Sequence, residues 1–129
     1  MGESLVQGFD MAKESLVIIH HNPSCGTSRN TLELIRQSGI QPTVHEYVKE
    51  GWGRAQLQDL IARMGVTPRD ILRVRGTPAD ELGLTRPGVS DDKILDAMVA
   101  HPILVERPIV ETSKGVRLCR PAETVRDLL

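Results

Sequence analysis

The hydrophobic positions in the first half of the chain follow strand-like and helix-like patterns in turn. A continuous apolar run predicts a buried strand over 16–20, and a helix-like segment closed by Gly39 predicts a helix over 27–38. A weak alternation over 43–47 predicts a second strand. The next predicted helix ends at Gly65 and carries apolar residues at helical spacing, namely Leu57, Leu60, Ile61 and Met64.

The second half of the chain begins with three helix-start signals and ends with short apolar runs. Thr67-Pro68, Thr77-Pro78 and Ser90-Asp91 each offer a capping side chain, and the first two add proline at the first helical position. These signals predict three short helices, the third of which ends at His101-Pro102. The remaining predicted elements are strands over 103–105, 108–110 and 116–119, a turn over 112–115 and a closing helix over 121–129.

The order of these elements predicts the fold class. Strand, helix, strand and helix are followed by a helical patch, further strands and a last helix. This is the layout of an α/β, thioredoxin-like three-layer sandwich with a helical insertion at about residues 66–101. We expect a single domain over 16–129, preceded by a disordered leader over 1–15.

Composition excludes several classes of partner. The chain has 129 residues and a net charge of −1, so it has no global basic field that would recruit nucleic acid or an anionic membrane. Its aromatic residues are one Phe, one Tyr and one Trp, too few for a base-stacking surface. No apolar run approaches the length of a membrane span. Two cysteines without a signal peptide predict free thiols in a reducing, cytoplasmic compartment.

Cys25 lies where the first predicted strand turns into the first predicted helix. Free backbone N–H groups at the start of a helix favour a thiolate and can also hold an anion. The polar, loop-like neighbours of Cys25 favour a reactive thiol over a buried, inert one. Ser28 stands where a second cysteine would complete a Cys-x-x-Cys motif, so a disulfide formed at Cys25 would need an external thiol to resolve it.

Two further residues bear on the thiol chemistry. Cys119 lies within a predicted strand and is interpreted as a structural thiol. His21 lies four residues before Cys25, and a protonated histidine near a thiol would lower the pKa of that thiol. A surface histidine that only donates or accepts hydrogen bonds is the alternative. No zinc-ligand spacing is present, so we predict no metal site.

Three arginines stand out by their context as donors for an anion. Arg73 follows an apolar pair, whereas Arg107 and Arg120 each precede a proline that forces an extended conformation on them. The bond between Arg107 and Pro108, which lies between two predicted strands, is a candidate cis peptide. For each arginine the alternative is an ordinary surface charge.

Together these motifs resemble the glutaredoxin-dependent arsenate reductases, a bacterial arsenic-resistance family with a thioredoxin-like fold. The resemblance extends over about residues 16–129. It implies that Cys25 is the catalytic nucleophile, that Arg73, Arg107 and Arg120 form an oxyanion pocket, and that His21 lies near the nucleophile. The matching motifs are HNPSCGTSRNTLE (21–33), LR (72–73), HPIL (101–104), RPIV (107–110) and RLCRP (117–121).

The resemblance also implies a reaction. Arsenate would be reduced to arsenite through a covalent intermediate between Cys25 and arsenic, with glutathione as co-substrate, glutaredoxin as partner and no bound cofactor. A monothiol glutathione-disulfide exchange protein is the first alternative, since the Cys-x-x-Ser turn alone would suffice for it. An Spx-like regulator that binds RNA polymerase is the second, although many such regulators carry cysteine at the position of Ser28.

Overall fold

A computed structural model describes residues 16–129, so the predicted leader over 1–15 lies outside the described residues. Strands and helices alternate through the first third of the chain, as the hydrophobic pattern predicts. The strands are β1 (Ile18–His21), β2 (Thr43–Glu46), β3 (Ile109–Thr112) and β4 (Gly115–Leu118). The α-helices are α1 (Gly26–Gln37), α2 (Tyr47–Glu50), α3 (Arg54–Met64) and α4 (Asp91–Ala100), and 3-10 helices cover Pro68–Ile71, Pro102–Leu104 and Ala122–Leu128.

The four strands form one mixed sheet in the order β2-β1-β3-β4. Strand β2 runs parallel to β1, β3 runs antiparallel to β1, and β4 runs antiparallel to β3. The ends of β1, β2 and β4 and the start of β3 therefore lie at the same edge of the sheet. Four chain segments that carry polar or reactive side chains meet at this edge, and they contain Cys25, Tyr47, Arg107 and Arg120.

Helices cover both faces of the sheet, which gives three layers. On one face, Ile19 and Val110 pack against Ile35 of α1 and against Val125 in the last 3-10 helix. On the other face, a larger apolar cluster joins the sheet to α2, α3 and α4, with Leu57 and Ile94 among its fully buried members. This arrangement confirms the predicted thioredoxin-like α/β sandwich.

Capping side chains begin two of the three helices predicted for the insertion. Thr67 accepts a hydrogen bond from the Asp70 N–H, and Ser90 accepts one from the Lys93 N–H. The prediction at Thr77-Pro78 is wrong. The segment forms a turn rather than a helix, in which the N–H groups of Leu82, Gly83 and Leu84 donate to the Pro78, Asp80 and Ala79 carbonyls. The left-handed Gly83, with φ of 74°, then ends the turn.

One further prediction, a strand near the carboxyl end, differs from the structure. The segment predicted as a strand over 103–105 is mostly the 3-10 helix Pro102–Leu104, because proline at its first position favours a helical turn. Only Val105 makes a strand-like bridge, to Leu72. The closing helix is of the 3-10 type rather than an α-helix. Within residues 16–129, no helix has both the length and the apolar character needed to cross a bilayer.

A network of titratable groups lies on the α3 side of the sheet. His20 Nδ1 lies 2.8 Å from His45 Nδ1, and His20 Nε2 lies 2.6 Å from Glu111 Oε2. His45 Nε2 donates to the Gly51 carbonyl at 2.9 Å, and Arg63 donates to the other Glu111 oxygen at 2.9 Å. Because His45 already donates through Nε2, a neutral His45 accepts the His20 proton at Nδ1. Only one proton can lie between the two facing Nδ1 atoms, so the network cannot form with both histidines fully protonated.

We expect this network to make the protein less stable in acid. Burial lowers the pKa of His45 below its ordinary 6.5, and the neighbouring His20 lowers it further. A histidine whose folded-state pKa is lowered gains its proton more readily when unfolded. Its contribution to stability is therefore complete above pH 6.5 and is lost as the pH falls through the lowered pKa. The hydrogen bond from His20 lowers the pKa of Glu111 below 4.5, so stability is lost there too at still lower pH.

Urea unfolding at a series of pH values between 8 and 5 (about the range in which histidine titrates) measures this effect. The free energy of unfolding of the wild type should decrease toward pH 5, and His45→Gln should flatten that decrease. His101→Gln, which changes an exposed histidine, is the matched control and should keep the wild-type slope. An unaltered slope in His45→Gln would show that the network does not carry the pH dependence.

Candidate active site

The turn between β1 and α1 holds Cys25 in a defined backbone conformation. Cys25 is the residue that precedes α1, with extended φ and ψ of −99° and 122°. Its N–H donates to the Asn22 carbonyl at 3.0 Å, and its carbonyl accepts the Arg29 N–H at 3.0 Å. The Asn22 side chain accepts the Ser24 N–H at 2.9 Å. These bonds leave the half-buried thiol facing the first turn of the helix.

The surroundings of Cys25 favour its thiolate. Burial by itself raises the pKa of the thiol, but hydrogen bonds from four groups outweigh it, and the net result is a pKa below the ordinary value of 9.0. In decreasing order these donors are the Ser28 N–H, the Arg120 and Arg107 guanidinium groups and the Thr27 N–H. Two of these donors are backbone N–H groups at the start of α1. The strand-to-helix turn predicted that such groups would lower the pKa of the thiol.

Arg120 is a charged group in direct contact with the thiol. Its Nη1 lies 3.7 Å from Cys25 Sγ and also donates to the Arg107 carbonyl at 2.9 Å. The Arg107-Pro108 peptide is cis, as predicted, and the Arg120-Pro121 peptide is also cis, which was not predicted. The Cys119 N–H donates to the Pro108 carbonyl at 2.9 Å and thereby joins the two Arg-Pro segments side by side.

Arg107 places a buried positive charge beside the thiol. Arg107 is buried, with only 8% of its surface exposed to solvent, and its Nη1 donates to the Ile103 carbonyl at 3.2 Å. Its Nε is buried and has no hydrogen-bond partner among the described residues. A buried donor without a partner is costly, and an anion bound at this edge of the sheet would offer it an acceptor. Arg107 and Arg120 therefore converge on Cys25, whose pKa both of them lower.

Arg73 is placed differently from the other two arginines. Its Nη1 pairs with Glu106 at 3.2 Å, and its Nε donates to the Arg75 carbonyl at 3.0 Å. Within the described part of the chain, it makes no hydrogen bond to Cys25. Glu106 directly precedes Arg107, so Arg73 is tied to the segment that carries the second arginine while its own charge is neutralised by a carboxylate.

The structure corrects the interpretation of His21. His21 Nδ1 lies 2.6 Å from Ser28 Oγ rather than against the thiol, and burial lowers the pKa of His21. A neutral imidazole is therefore favoured at neutral pH, not the protonated one that we expected to act on Cys25. Ser28 Oγ also accepts the Asn22 N–H at 3.1 Å. His21 is thus linked to Ser28, whose N–H lowers the pKa of the Cys25 thiol.

From the sequence, Ser28 was noted only as the residue that stands in place of a second cysteine. The structure places its buried hydroxyl between His21 and the turn that follows β1, so that it anchors the first turn of α1. Its position one turn into the helix, and seven residues after His21, was the available signal. The spacing alone did not show that the two side chains meet, because the contact depends on the bend of the chain between them.

Cys119 differs from Cys25 in both the burial and the pKa of its thiol, and it is fully buried. It packs with Ile35 and Val125 on the α1 side of the sheet, and burial raises the pKa of its thiol to about 11. Both cysteines are free. A thiol with this burial and pKa is unreactive at neutral pH, which agrees with the structural role predicted for Cys119.

The fold and the site together define a class of protein. It is a thioredoxin-like α/β protein with one low-pKa cysteine at a strand-to-helix turn and positively charged side chains around it. Comparison with models of protein families matches residues 20–128 to the ArsC family. The chain belongs to the ArsC family, as the motifs in its sequence predicted.

Named relatives and solved structures are similar along most of their length. The arsenate reductase ArsI1 of Synechocystis sp. is 59% identical over 116 residues, which are 90% of this chain and 81% of that protein. An arsenate reductase of Escherichia coli is 52% identical over 115 residues, 89% of this chain and 82% of that protein. The structure of an arsenate reductase from Vibrio cholerae superposes with a TM-score of 0.83 at 38% identity, covering 88% of this chain and 97% of that one.

Proposed function

We propose that this protein is an oxidoreductase that reduces arsenate to arsenite, with Cys25 as its nucleophile. The observation that carries the proposal is the convergence of two arginines on a low-pKa thiol, with Arg120 Nη1 3.7 Å from Cys25 Sγ. The similarity to proteins named arsenate reductases, over 90% of this chain and 81% of ArsI1, supports the choice of substrate. Disulfide exchange alone would not need a positively charged pocket beside the thiol.

Substrate binding would use the charged groups at the edge of the sheet. A guanidinium group can donate two parallel hydrogen bonds to a tetrahedral oxyanion, and burial strengthens such bonds. Arg107 and Arg120 would bind the arsenate oxygens, together with N–H groups at the start of α1. Arg73 is a proposed third donor that would exchange its present partner, Glu106, for the substrate.

The chemical step would begin with attack by the Cys25 thiolate on arsenic(V). A sulfur–arsenic bond forms, an arsenic–oxygen bond breaks, and the departing oxygen leaves as water with protons from the substrate. The positive charges of Arg107 and Arg120 would stabilise the thiolate before the attack and the oxyanion during it. Arsenic remains in oxidation state V at the end of this step, so two electrons must still be supplied.

External thiols would supply those electrons. The chain has Ser28 in place of a second cysteine, and its other thiol, Cys119, is buried on the α1 side of the sheet. We propose that the glutathione sulfur bonds to the arsenic of the Cys25 adduct and displaces a second arsenic oxygen as water. A glutaredoxin thiolate then attacks the glutathione sulfur and breaks its bond to arsenic, and the electron pair of that bond stays on arsenic. The two donor sulfurs leave joined as a mixed disulfide, arsenic takes up two electrons, and hydrolysis releases arsenite and the Cys25 thiol. No bound cofactor is needed, and both donors are available in the cytoplasm.

A coupled assay tests the proposal. The protein is combined with arsenate, glutathione, glutaredoxin, glutathione reductase and NADPH, and NADPH oxidation is followed. Oxidation should depend on arsenate and should fall to background when either glutathione or glutaredoxin is omitted. A folded protein that shows no arsenate-dependent oxidation would contradict the proposal. Reduction of a glutathione mixed disulfide in that case would favour the exchange protein, and co-purification with RNA polymerase would favour the regulator.

A further inference from the structure

We propose that Tyr47 is a positioning residue that holds Arg107 against the Cys25 thiol. Tyr47 directly follows β2 and so lies at the same edge of the sheet as Cys25 and Arg107. Tyr47 is fully buried. Its ring stacks on Trp52 with a centroid distance of 5.0 Å and an interplanar angle of 28°, so the ring has little freedom to turn.

The Tyr47 hydroxyl binds the chain segment that carries Arg107. It donates to the Val105 carbonyl at 2.7 Å, two residues before Arg107 and 58 residues away from Tyr47 in the sequence. Val105 is otherwise held by its bridge to Leu72 and by its N–H bond to the Pro102 carbonyl. The hydroxyl therefore connects this segment to the end of β2, across the edge where the thiol lies.

The Arg107 guanidinium lies beside the same hydroxyl. Burial raises the pKa of Tyr47 well above its ordinary value, although the Arg107 charge and a hydrogen bond from Arg107 act to lower it. The hydroxyl therefore keeps its proton throughout the pH range in which Cys25 titrates, and its donation to Val105 is permanent. Its oxygen can at the same time accept a hydrogen bond from the guanidinium.

Arg107 depends on such neutral partners for its orientation. Among the described residues it forms no ion pair, and its side-chain hydrogen bond is to the Ile103 carbonyl. Loss of the Tyr47 hydroxyl would remove the hydrogen bond that anchors the backbone two residues before Arg107. The guanidinium would then be less well placed at the thiol, and the pKa of Cys25 would rise.

The test is a double-variant comparison that reads the thiol itself. The rate at which iodoacetamide alkylates Cys25 is measured against pH, with mass spectrometry to assign the modified residue. Tyr47→Phe should lower the rate at neutral pH by about three- to tenfold, since one unit of pKa changes the thiolate fraction about tenfold. In an Arg107→Met background, Tyr47→Phe should have no further effect. In an Arg120→Ala background, it should have the same effect as in the wild type.

Two results would overturn the proposal. One is an unchanged alkylation profile in Tyr47→Phe, and the other is an equal shift with and without Arg107. If Tyr47→Phe proves unfolded by circular dichroism, Trp52→Phe takes its place, because it loosens the Tyr47 ring and keeps the hydroxyl. Its effect should be smaller and should again vanish in Arg107→Met. Persistence of the effect there would equally overturn the proposal.

A kinetic readout extends the inference to the substrate and rests on the proposed function. If Arg107 binds arsenate, Tyr47→Phe should raise the KM for arsenate by several-fold more than it lowers kcat. The alkylation profile needs no arsenate, so the two proposals fail separately. A protein without arsenate turnover that still shows the predicted dependence of Tyr47 on Arg107 would reject the proposed function and retain the role of Tyr47.

Discussion

Cys25→Ser should abolish arsenate-dependent turnover, with a loss of more than about a thousandfold in kcat. A serine hydroxyl in the same place stays protonated at neutral pH and is a far weaker nucleophile than a thiolate of lowered pKa. The fold should be unaffected, because the residue lies half-buried in a turn that backbone hydrogen bonds hold in shape. The coupled NADPH assay and circular dichroism of the variant together measure both expectations.

Cys119→Ser is the matched control for this prediction. It changes the chain's other cysteine, which is buried among apolar side chains and has a raised thiol pKa. We expect Cys119→Ser to lower stability while keeping turnover per folded molecule near that of the wild type. Substantial turnover by Cys25→Ser would remove Cys25 as the nucleophile, and equal losses in both variants would show that the chemistry needs two cysteines.

Arg107→Ala should lower kcat/KM for arsenate on the order of 10²–10³-fold, the usual cost of removing one preorganised donor from a developing oxyanion. The same substitution should raise the pKa of the Cys25 thiol, because it removes a buried positive charge that lowers that pKa. Arg107→Lys should restore only part of the activity, since an ammonium group cannot donate two parallel hydrogen bonds in a planar fork. Steady-state kinetics and the pH dependence of Cys25 alkylation measure the two effects.

Arg73→Ala tests whether an arginine that makes no hydrogen bond to Cys25 within residues 16–129 affects the thiol. Arg73 is paired with Glu106 and makes no hydrogen bond to Cys25 within residues 16–129, so its loss should leave the alkylation profile of the thiol unchanged. Its effect should be confined to the KM for arsenate if it exchanges Glu106 for the substrate. An unchanged thiol pKa in Arg107→Ala, or an equal rise in Arg73→Ala, would contradict the assignment of these two arginines.

Local patterns carried most of the secondary structure. Helix α3 follows from the 3.6-residue spacing of its apolar residues and the glycine at its end, and α4 follows from the capping Ser90. The hydrophobic pattern predicted the wrong element where the local preferences for a strand and for a helical turn were about equal. Three apolar residues over 103–105 suit a strand as well as a helical turn. Pro102 and the packing of Leu104 in the core favour the helical turn that forms.

The sequence by itself determined which turn carries the chemistry, because a strand followed by a polar turn, a cysteine and a helix places the thiol near free backbone N–H groups. Only the tertiary structure decided which charges surround that thiol. Arg107 and Arg120 reach Cys25 because β3 and β4 run antiparallel to their neighbours and bring their ends to the edge where β1 ends. Arg73 and Tyr47 acquired their partners Glu106 and Val105 in the same way, through contacts between residues distant in the chain. Such contacts depend on strand order and on the packing of segments far apart in sequence, which no local pattern of residues specifies.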